Sequence, residues 1–269
     1  MTTTARALTI AGSDSGGGAG IQADLKTFSA FGVYGMSVLT AVTAQNTVGV
    51  FGVEELSLGL IAAQLDAVLT DIGTDAAKTG MLSSAAIVRL VAQKVREHEI
   101  ARLVVDPVMV AKSGDTLLAE DARAALRDLL LPLALVVTPN TPEAEALTGL
   151  RVRSLEEMRA AAVQLAARGA RWVVVKGGHL PLADEAIDLV YDGRTFTALR
   201  SPRYASKNTH GTGCTFSAAI TAGLARGLPP LEAIQRAKAY VSRAIETALA
   251  LGQGHGPTNH LVGVRSEWA

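Results

Sequence analysis

The chain has 269 residues, and its 25 basic and 25 acidic side chains give a formal net charge of zero. A balanced charge provides no long-range field that would attract nucleic acid or an anionic membrane surface, so we expect neither as a partner. No uninterrupted apolar run approaches the ~20 residues that cross a bilayer, and the single cysteine excludes an intramolecular disulfide. With no leader-like segment before the first predicted strand, these features indicate a cytoplasmic protein with a single domain over residues 1–269.

The first predicted strand leads into a glycine-rich loop. Residues 5–11 are apolar, residues 12–20 form the loop, and residues 21–28 have the apolar spacing of a helix. The loop has neither the dinucleotide-binding fingerprint nor the Gly-Lys-Ser/Thr of a P-loop, which argues against a Rossmann cofactor site and a Walker ATPase. Its glycines either let the backbone approach a small ligand closely or simply form a permissive turn, and the sequence leaves both interpretations open.

Strands and helices continue to alternate along the chain. Apolar runs predict strands at 36–45, 76–79, 102–105, 134–137 and 172–175. Helical spacing predicts helices at 54–72, 85–99, 155–168 and 231–251. Asp192 and Gly193 separate two further strand-like runs, 187–191 and 195–199, and suit the tight turn of an antiparallel hairpin. The pattern predicts a mostly parallel sheet with helices on both faces and an antiparallel edge.

Polar side chains follow several of these strands, at the edge of the sheet where α/β proteins bind ligands. Gln45 ends one strand and Asp106 follows another. An aspartate at that edge can hold Mg²⁺, although turn and helix-capping aspartates occupy such positions as well. Lys176 ends a strong strand before two glycines and can reach a nucleotide phosphate as a point charge.

The turn after the strand at 134–137 carries Asn140 and Glu143 near the start of the next helix. We expect Thr141 to be the N-cap of that helix, with two prolines fixing the turn. Glu143 could face a ligand at the sheet edge. A glutamate in a first helical turn is, however, also favoured by the helix dipole alone.

A glycine turn, Gly211-Thr212-Gly213, leads into a small-residue, apolar helix that we expect to begin near Thr212. The first N–H groups of such a helix have no intrahelical acceptor, so the turn predicts a place for an anion. Cys214 lies in the first helical turn, where the dipole favours a thiolate and predicts a lowered pKa. The alternative is a small, inert, buried cysteine.

The motifs that carry a family resemblance lie at 11–27, 106–109, 138–144, 175–179 and 208–214. Together they resemble the hydroxymethylpyrimidine/phosphomethylpyrimidine kinases of thiamine biosynthesis, in the ribokinase-like superfamily. The resemblance covers nearly the whole chain. It is specific because this family has cysteine, here Cys214, where most ribokinase-like enzymes have aspartate. The resemblance implies a ribokinase-like, three-layer α/β/α fold.

The resemblance also implies an enzyme that uses ATP and Mg²⁺ to phosphorylate 4-amino-5-hydroxymethyl-2-methylpyrimidine and then its monophosphate at one site. The pyrimidine pocket implied in this way is lined by Gly12, Asp24, Gln45, Met81 and Val108. The residues implied for Mg²⁺ are Asp106, Asn140 and Glu143, and those beside the nucleotide are Lys176, Thr209, His210 and Lys238. The implied catalytic residues are Cys214, as base for the alcohol, and Gly211, Thr212 and Gly213, whose N–H groups hold the developing charge.

A branch of this family that phosphorylates pyridoxal is similar to the chain as well. Its members, as the resemblance implies, carry a second cysteine in a lid after the Asp-Pro-Val-Met run, whereas the corresponding residues 110–114 here contain none. We therefore expect pyridoxal phosphorylation only as a side activity. A catalytically silent pyrimidine-binding protein is disfavoured because a binder needs neither metal carboxylates nor a base. An exposed sheet edge often pairs with a second copy, and we expect a homodimer.

Overall fold

The computed structural model describes residues 4–109, 120–178, 180 and 185–264. The strands in this part of the chain are β1 (Arg6–Asp14), β2 (Tyr34–Gln45), β3 (Val50–Glu55), β4 (Ala76–Thr79), β5 (Leu103–Val105), β6 (Val136–Val137), β7 (Trp172–Lys176), β8 (Glu185–Tyr191) and β9 (Phe196–Pro202). They form one sheet in the order β3-β2-β1-β4-β5-β6-β7-β8-β9. The six strands from β2 to β7 in this order are parallel, whereas β3 at one end and β8 and β9 at the other are antiparallel to their neighbours.

The helices are α1 (Gly20–Ala30), α2 (Leu58–Asp71), α3 (Ala85–Glu97), α4 (Glu120–Ala125), α5 (Thr141–Thr148), α6 (Leu155–Ala167), α7 (Thr212–Ala225) and α8 (Pro230–Glu246). Each face of the sheet is buried by its own group of helices. Leu103 and Val105 of β5 pack in a core with α2, α3, α4 and α6, while Val104 between them packs in a second core with α1, α7 and α8. This alternation is what a parallel sheet covered on both sides requires. The predicted three-layer architecture is confirmed, and so is the antiparallel edge hairpin formed by β8 and β9.

The predicted helix at 54–72 was wrong in its first part. Residues Val50–Glu55 form β3, which pairs with β2, and the helix begins only at Leu58. Ser57 fixes this start because its hydroxyl accepts a hydrogen bond from the N–H of Leu60 at 3.2 Å. Five of the six β3 residues are exposed, so the strand lacks the alternation of buried and exposed positions by which a strand is predicted from sequence.

The N-cap of α5 also differs from the prediction. Asn140, and not Thr141, caps the helix: its Oδ1 accepts from the N–H of Glu143 at 2.8 Å, while Glu143 Oε2 accepts from the N–H of Asn140 at 2.7 Å. This reciprocal pair is a capping box, which satisfies two backbone donors at once. A helix that no sequence pattern predicted, α4, continues into a π-helical turn (Leu126–Leu130) and a 3-10 turn (Leu131–Leu133).

Among the residues that the structure describes, no helix is both long enough and apolar enough to cross a membrane. The lid stretch without a cysteine, residues 110–114, lies outside the described residues.

Candidate active site

A cavity of about 870 Å³ lies beyond the carboxyl ends of the parallel strands. The chain runs from β1 to β2 on one side and later returns to β4 on the other side of β1. Such a reversal of strand order leaves a crevice at the sheet edge, which is where ligands bind in open α/β sheets. The volume suits a small substrate together with part of a nucleotide.

The cavity wall contains every residue predicted for the site except Asp24. It includes Gly12, Gln45, Met81, Asp106, Val108, Asn140, Glu143, Lys176, Thr209, His210, Gly211, Thr212, Gly213, Cys214 and Lys238. Asp24 is fully buried and forms an ion pair with Lys78 at 2.8 Å. It therefore has no surface to offer a ligand, which corrects the prediction that it lines the pyrimidine pocket. The roles of the other residues stay predictions.

The glycine-rich loop and the turn before α7 fit directly against each other. Gly211 has a left-handed φ of 80°, and a Cβ atom at this position would overlap the carbonyl oxygen of Gly18. Asp14 organises the loop by accepting hydrogen bonds from the N–H groups of Gly16, Gly18 and Ala19 at 2.8, 3.0 and 2.8 Å. Both glycine segments predicted from the sequence thus form one wall of the cavity.

His210 joins the loop to the end of β2. Its Nε2 lies 3.0 Å from Asp14 Oδ2 and 3.5 Å from Gln45 Nε2, and Thr43 donates to Gln45 Oε1 at 3.2 Å. Burial alone would raise the pKa of Asp14, but the hydrogen bonds from His210 and the loop N–H groups hold it below its ordinary value. The structure therefore places His210, predicted for the nucleotide, beside Gln45, predicted for the pyrimidine.

Helix α7 presents its N-terminus to the cavity, as predicted. Gly211 is the N-cap residue, and the N–H of Thr212 donates to the carbonyl of Thr209 at 3.3 Å. Within the described residues, the N–H groups of Gly213 and Cys214 have no acceptor. These two donors and the positive end of the helix dipole form a site for an anionic oxygen.

The expected lowering of the Cys214 pKa is not found. Cys214 is half-buried and faces the cavity, but burial raises the pKa of its thiol to about 12, and the nearby carboxylates of Asp24 and Asp106 add to that increase. The ammonium of Lys78 and the N–H of Gly20 act in the opposite direction. In the free protein at neutral pH, Cys214 is thus a thiol, because desolvation outweighs the helix dipole.

Lys176 is the cation between two carboxylates at the other side of the α7 N-terminus. Its Nζ lies 3.2 Å from Asp106 Oδ1 and 3.9 Å from Glu143 Oε2. A Cβ atom on Gly213 would lie 3.4 Å from the same Nζ, so the ammonium touches the first turn of α7. Asp106 is held in place by the hydroxyl of Ser217, which donates to its Oδ2 at 3.1 Å.

The charges in this cluster follow from burial and from the central lysine. Burial alone would raise the pKa of Asp106, but Lys176 and Lys78 hold it below the ordinary value. Burial raises the pKa of Glu143 to about 7 against the opposing charge of Lys176. Burial would lower the pKa of Lys176, but Asp106 and Glu143 raise it. The cluster therefore holds one ionised carboxylate, one carboxyl that titrates near neutral pH, and one ammonium.

The residues predicted for Mg²⁺ fit that ion in part. Asp106 and Glu143 supply the carboxylate oxygens that Mg²⁺ prefers, and Mg²⁺ commonly binds one or two carboxylates together with substrate phosphates. Asn140 does not fit as a ligand in this structure because its Oδ1 caps α5. No group of three or more His, Cys, Asp or Glu side chains within the described residues is arranged to hold a metal ion.

Lys238, on α8, reaches the cavity beside the β8 strand. Its Nζ donates to Asp188 Oδ2 at 2.9 Å, and Asp188 Oδ1 accepts from the N–H of Gly177 at 3.0 Å. This chain of contacts connects α8 to the glycines that follow β7. Asp188 was not predicted, because an aspartate within a hairpin strand carries no signal of its own.

Lys78 was missed as well, although its sequence context carried a signal. It lies in β4, whose four residues Ala76–Thr79 are all buried, and a lysine within a short buried strand needs a buried anionic partner. That partner is Asp24, which is 54 residues away in the chain. The position of Lys78 within a short buried strand therefore indicates that it has an anionic partner, but the sequence does not identify that partner.

Proteins of known function are similar to this chain over most of its length. The model of the phosphomethylpyrimidine kinase family matches residues 14–259. The hydroxymethylpyrimidine/phosphomethylpyrimidine kinase of Bacillus subtilis is 51% identical over 255 residues, which cover 95% of this chain and 94% of that protein. The enzyme of the same name from Rhizobium meliloti is 56% identical over 260 residues, covering 96% and 97%.

The fold is shared with a solved structure of the pyridoxal kinase from Staphylococcus aureus in complex with AMP-PCP and pyridoxal. The two chains superpose with a TM-score of 0.89 at 41% identity, and the match covers 96% of this chain and 94% of that one. The ribokinase-like fold expected from the sequence is confirmed by likenesses of this kind.

Proposed function

The chain belongs to the phosphomethylpyrimidine kinase family, and from this membership we propose that it phosphorylates 4-amino-5-hydroxymethyl-2-methylpyrimidine with ATP and then phosphorylates the monophosphate, in thiamine biosynthesis. The observation that carries the proposal is the placement of Lys176 and its two carboxylates against the first turn of α7, inside one cavity. Phosphoryl transfer depends on positioning and on neutralising charge, which is what this cluster supplies.

The nucleotide occupies the part of the cavity near Lys176 and Lys238. Support for ATP as donor comes from the similar Staphylococcus aureus kinase, whose structure contains AMP-PCP. Lys176 would exchange its contacts with Asp106 and Glu143 for contacts with phosphate oxygens. The free N–H groups of Gly213 and Cys214 would donate hydrogen bonds to the oxygens of the transferred phosphoryl group and so stabilise its negative charge.

Asp106 and Glu143 are the residues that would hold Mg²⁺. When bound, Mg²⁺ neutralises charge on the phosphate oxygens and on the carboxylates themselves. Asn140 acts indirectly, because the capping box fixes the carboxyl group of Glu143 against the N-cap N–H of α5. Lys176 is the cation that lies within 4 Å of both carboxylates, and a Mg²⁺–nucleotide would bring further positive charge to them.

The pyrimidine lies at the opposite end of the cavity, against Gly12, Gln45, Met81 and Val108. Gly12 gives room to Met81, since a Cβ atom at position 12 would overlap the Met81 methyl group. The carboxamide of Gln45, whose Oε1 accepts from the Thr43 hydroxyl, would hydrogen-bond to the ring. Orientation of the ring brings the hydroxymethyl group to the α7 N-terminus.

Cys214 takes the proton of the alcohol in the first step. Because burial keeps it a thiol in the free protein, it would first release its own proton to solvent and would then accept the proton of the alcohol as a thiolate. In the second step the nucleophile is an ionised phosphate oxygen, which needs no base. One site can therefore perform both steps with different demands on the cysteine.

The proposal is tested by incubating the purified protein with ATP, Mg²⁺ and the pyrimidine alcohol, and by resolving the products chromatographically over time. Monophosphate should appear first and diphosphate afterwards. Asp106→Asn should abolish both products, whereas Lys94→Met, on the distant helix α3, should leave both unchanged. Absence of any phosphorylated pyrimidine with the folded protein would overturn the proposal.

Pyridoxal phosphorylation is a second candidate activity, favoured by the likeness to the Staphylococcus aureus pyridoxal kinase. The absence of a cysteine from residues 110–114 argues that it is a side activity here. In an assay with both substrates at equal concentration, the pyrimidine should be consumed first. Preferential consumption of pyridoxal would reverse the assignment.

A homodimer through the β3 edge is the remaining part of the proposal. Phe51 and Val53 on β3 and Val48 before it are 70%, 49% and 59% exposed, and an exposed apolar edge strand is prone to pair. Light scattering on the eluting protein should give twice the chain mass of 27.9 kDa. Phe51→Lys should shift that mass toward the monomer, while a mass of one chain for the unmodified protein would contradict the dimer.

A further inference from the structure

Asp188, in the middle of β8, lies in the wall of the cavity and takes no part in the steps proposed for phosphoryl transfer. Its carboxylate has two different partners. Oδ2 accepts from the ammonium of Lys238 at 2.9 Å, and Oδ1 accepts from the N–H of Gly177 at 3.0 Å. The residue is only 7% exposed. One buried side chain therefore connects helix α8 to the turn that follows β7.

Asp188 lies directly opposite Lys176 in the sheet. The antiparallel register of β7 and β8 pairs these two residues, and side chains that are opposite each other extend from the same face. That face is the one covered by α7 and α8, because Val174 and Val190, two residues away on each strand, pack in the core with those helices. Asp188 is thus a neighbour of Lys176, but its carboxylate contacts a different cation, Lys238.

The turn after β7 comes very close to β8. A Cβ atom on Gly177 would overlap the carbonyl oxygen of Ile187, so the approach requires a glycine. The hydrogen bond from the Gly177 N–H to Asp188 fastens the turn in this position. Since Lys176 is the residue before Gly177, the place of its backbone depends on Asp188 as well.

Lys238 keeps one donor for a ligand. Its Nζ donates to Asp188 Oδ2 and, at 3.3 Å, to the carbonyl oxygen of Ala186. An ammonium has three N–H bonds, and no third acceptor is found for this one within the described residues. Lys238 lines the cavity. A lysine held in this way is preorganised for an anionic oxygen, because the freedom of its long side chain is lost before the ligand arrives.

We propose that Asp188 is a positioning residue for the nucleotide, which holds the ammonium of Lys238 and the backbone after Lys176 at a fixed spacing so that both lysines face the phosphates. The inference rests on the proposed function, which places the nucleotide near these two lysines. Asp188 itself does not contact the phosphates, because like charges repel. A carboxylate in the wall of a phosphate site is accounted for by the cation and the backbone that it positions.

The first test measures ADP binding by calorimetry, with Mg²⁺ present and no pyrimidine added. Asp188→Asn keeps the shape of the side chain but leaves one acceptor oxygen, so either Gly177 or Lys238 loses its partner. We expect the Kd for ADP to rise by about five-fold or more. If Asp188 were only a negative charge near the phosphates, its removal would strengthen binding. Tighter or unchanged binding would therefore overturn the proposal.

A double-mutant cycle separates positioning of Lys238 from general damage to the fold. Lys238→Met should raise the Kd for ADP by about ten-fold or more. Adding Asp188→Asn to Lys238→Met should change the Kd by less than about two-fold, because the oxygen of the asparagine can then stay with Gly177. Effects of the two substitutions that simply add would overturn the proposal.

Glu185→Gln is the matched control, since it removes a carboxylate from the same strand. Glu185 forms an ion pair with Arg200 at 2.6 Å, and neither residue lines the cavity. The Kd for ADP should be the same in Glu185→Gln and in the unmodified protein. A rise as large as that in Asp188→Asn would show that any loss of charge from β8 has this effect, and would overturn the proposal.

The second test concerns catalysis. In Asp188→Asn the KM for ATP should rise by about five-fold or more, while kcat changes by a smaller factor and the KM for the pyrimidine stays the same. An equal rise in both KM values would overturn the proposal, as would a folded, unmodified protein that does not bind ADP. A protein that binds ADP in the predicted pattern but phosphorylates no pyrimidine would refute the proposed function and leave the role of Asp188 standing.

Discussion

The carbonyl oxygen of Gly18 occupies the position that a Cβ atom on Gly211 would need. The glycine loop after β1 and the turn before α7 are 193 residues apart in the chain, yet each is shaped by the other. Asp14 and His210 join the same two segments at 3.0 Å. This wall of the cavity is therefore assembled from both ends of the sequence.

Gly211→Ala should damage both stability and activity. A side chain at Gly211 meets the left-handed backbone penalty of about 1–2 kcal/mol and, in addition, an overlap with Gly18 that costs about 1–3 kcal/mol. Gly227 is a matched control, because it has a φ of 84° but nothing within 4 Å of its would-be Cβ. Urea unfolding should show a clearly greater loss for Gly211→Ala than for Gly227→Ala, and equal losses would contradict the interlocked wall.

Cys214→Ala should separate the two phosphorylation steps. Removing the base should lower the rate of alcohol phosphorylation by about 100-fold or more, because that nucleophile must lose a proton. Phosphorylation of the monophosphate should be spared to a much larger extent. Initial rates with each purified substrate provide the measurement, and an equal loss in both steps would assign Cys214 a structural or anion-positioning role.

Lys176→Ala should mainly raise the ATP concentration needed for half-maximal rate. It also leaves Asp106 and Glu143 without the ammonium that lies 3.2 and 3.9 Å away, and an uncompensated buried charge costs about 3–5 kcal/mol. Added Mg²⁺ should restore part of the melting temperature if these carboxylates bind it. ATP titrations give the first result and thermal melts the second. An unchanged ATP requirement would remove Lys176 from the nucleotide site.

His260 should make the fold sensitive to acid. It is buried, its Nε2 has no partner in the described part of the chain, and burial lowers its pKa to about 4. Between pH 6.5 and 4 the unfolded chain binds a proton at this side chain and the folded chain does not, so stability falls as the pH falls, by up to about 3 kcal/mol.

Denaturant unfolding at pH 7 and pH 4.5 tests this effect. His260→Leu should lose less stability than the unmodified protein across that interval, while substitution of the exposed His255 by Leu should not alter the loss. If His260→Leu shows the same loss on acidification as the unmodified chain, the buried neutral histidine is not the cause.

Much of the fold was predictable because its signals are local, whereas many of the residues that line the cavity were predicted only through the family resemblance. The strand β4 has the predicted boundaries, 76–79, and Lys176 ends β7 as its motif indicates. What could not be predicted depends on distant partners. The exposed edge strand β3 is a strand only because β2 pairs with it. The lowered pKa expected for Cys214 was wrong because burial and two distant carboxylates outweigh the local helix dipole.

Asp24 illustrates the same limit within the site. Its motif places it next to the glycine loop, but whether its carboxylate faces the cavity or the core depends on Lys78, 54 residues away. The family resemblance identifies Asp24 as a candidate site residue, but it does not show which way the carboxylate of Asp24 faces. The structure therefore moves Asp24 from the predicted pocket wall to the layer beneath it.

The most direct test of the central claim is one assay with ATP and Mg²⁺ in which the pyrimidine alcohol, its monophosphate and pyridoxal are supplied in parallel and the mono- and diphosphate products are resolved by chromatography. We predict that diphosphate forms from both pyrimidines and that pyridoxal is turned over slowly or not at all. Turnover of pyridoxal alone would contradict the account and would show that a kinase of this family phosphorylates the vitamin without a cysteine at residues 110–114.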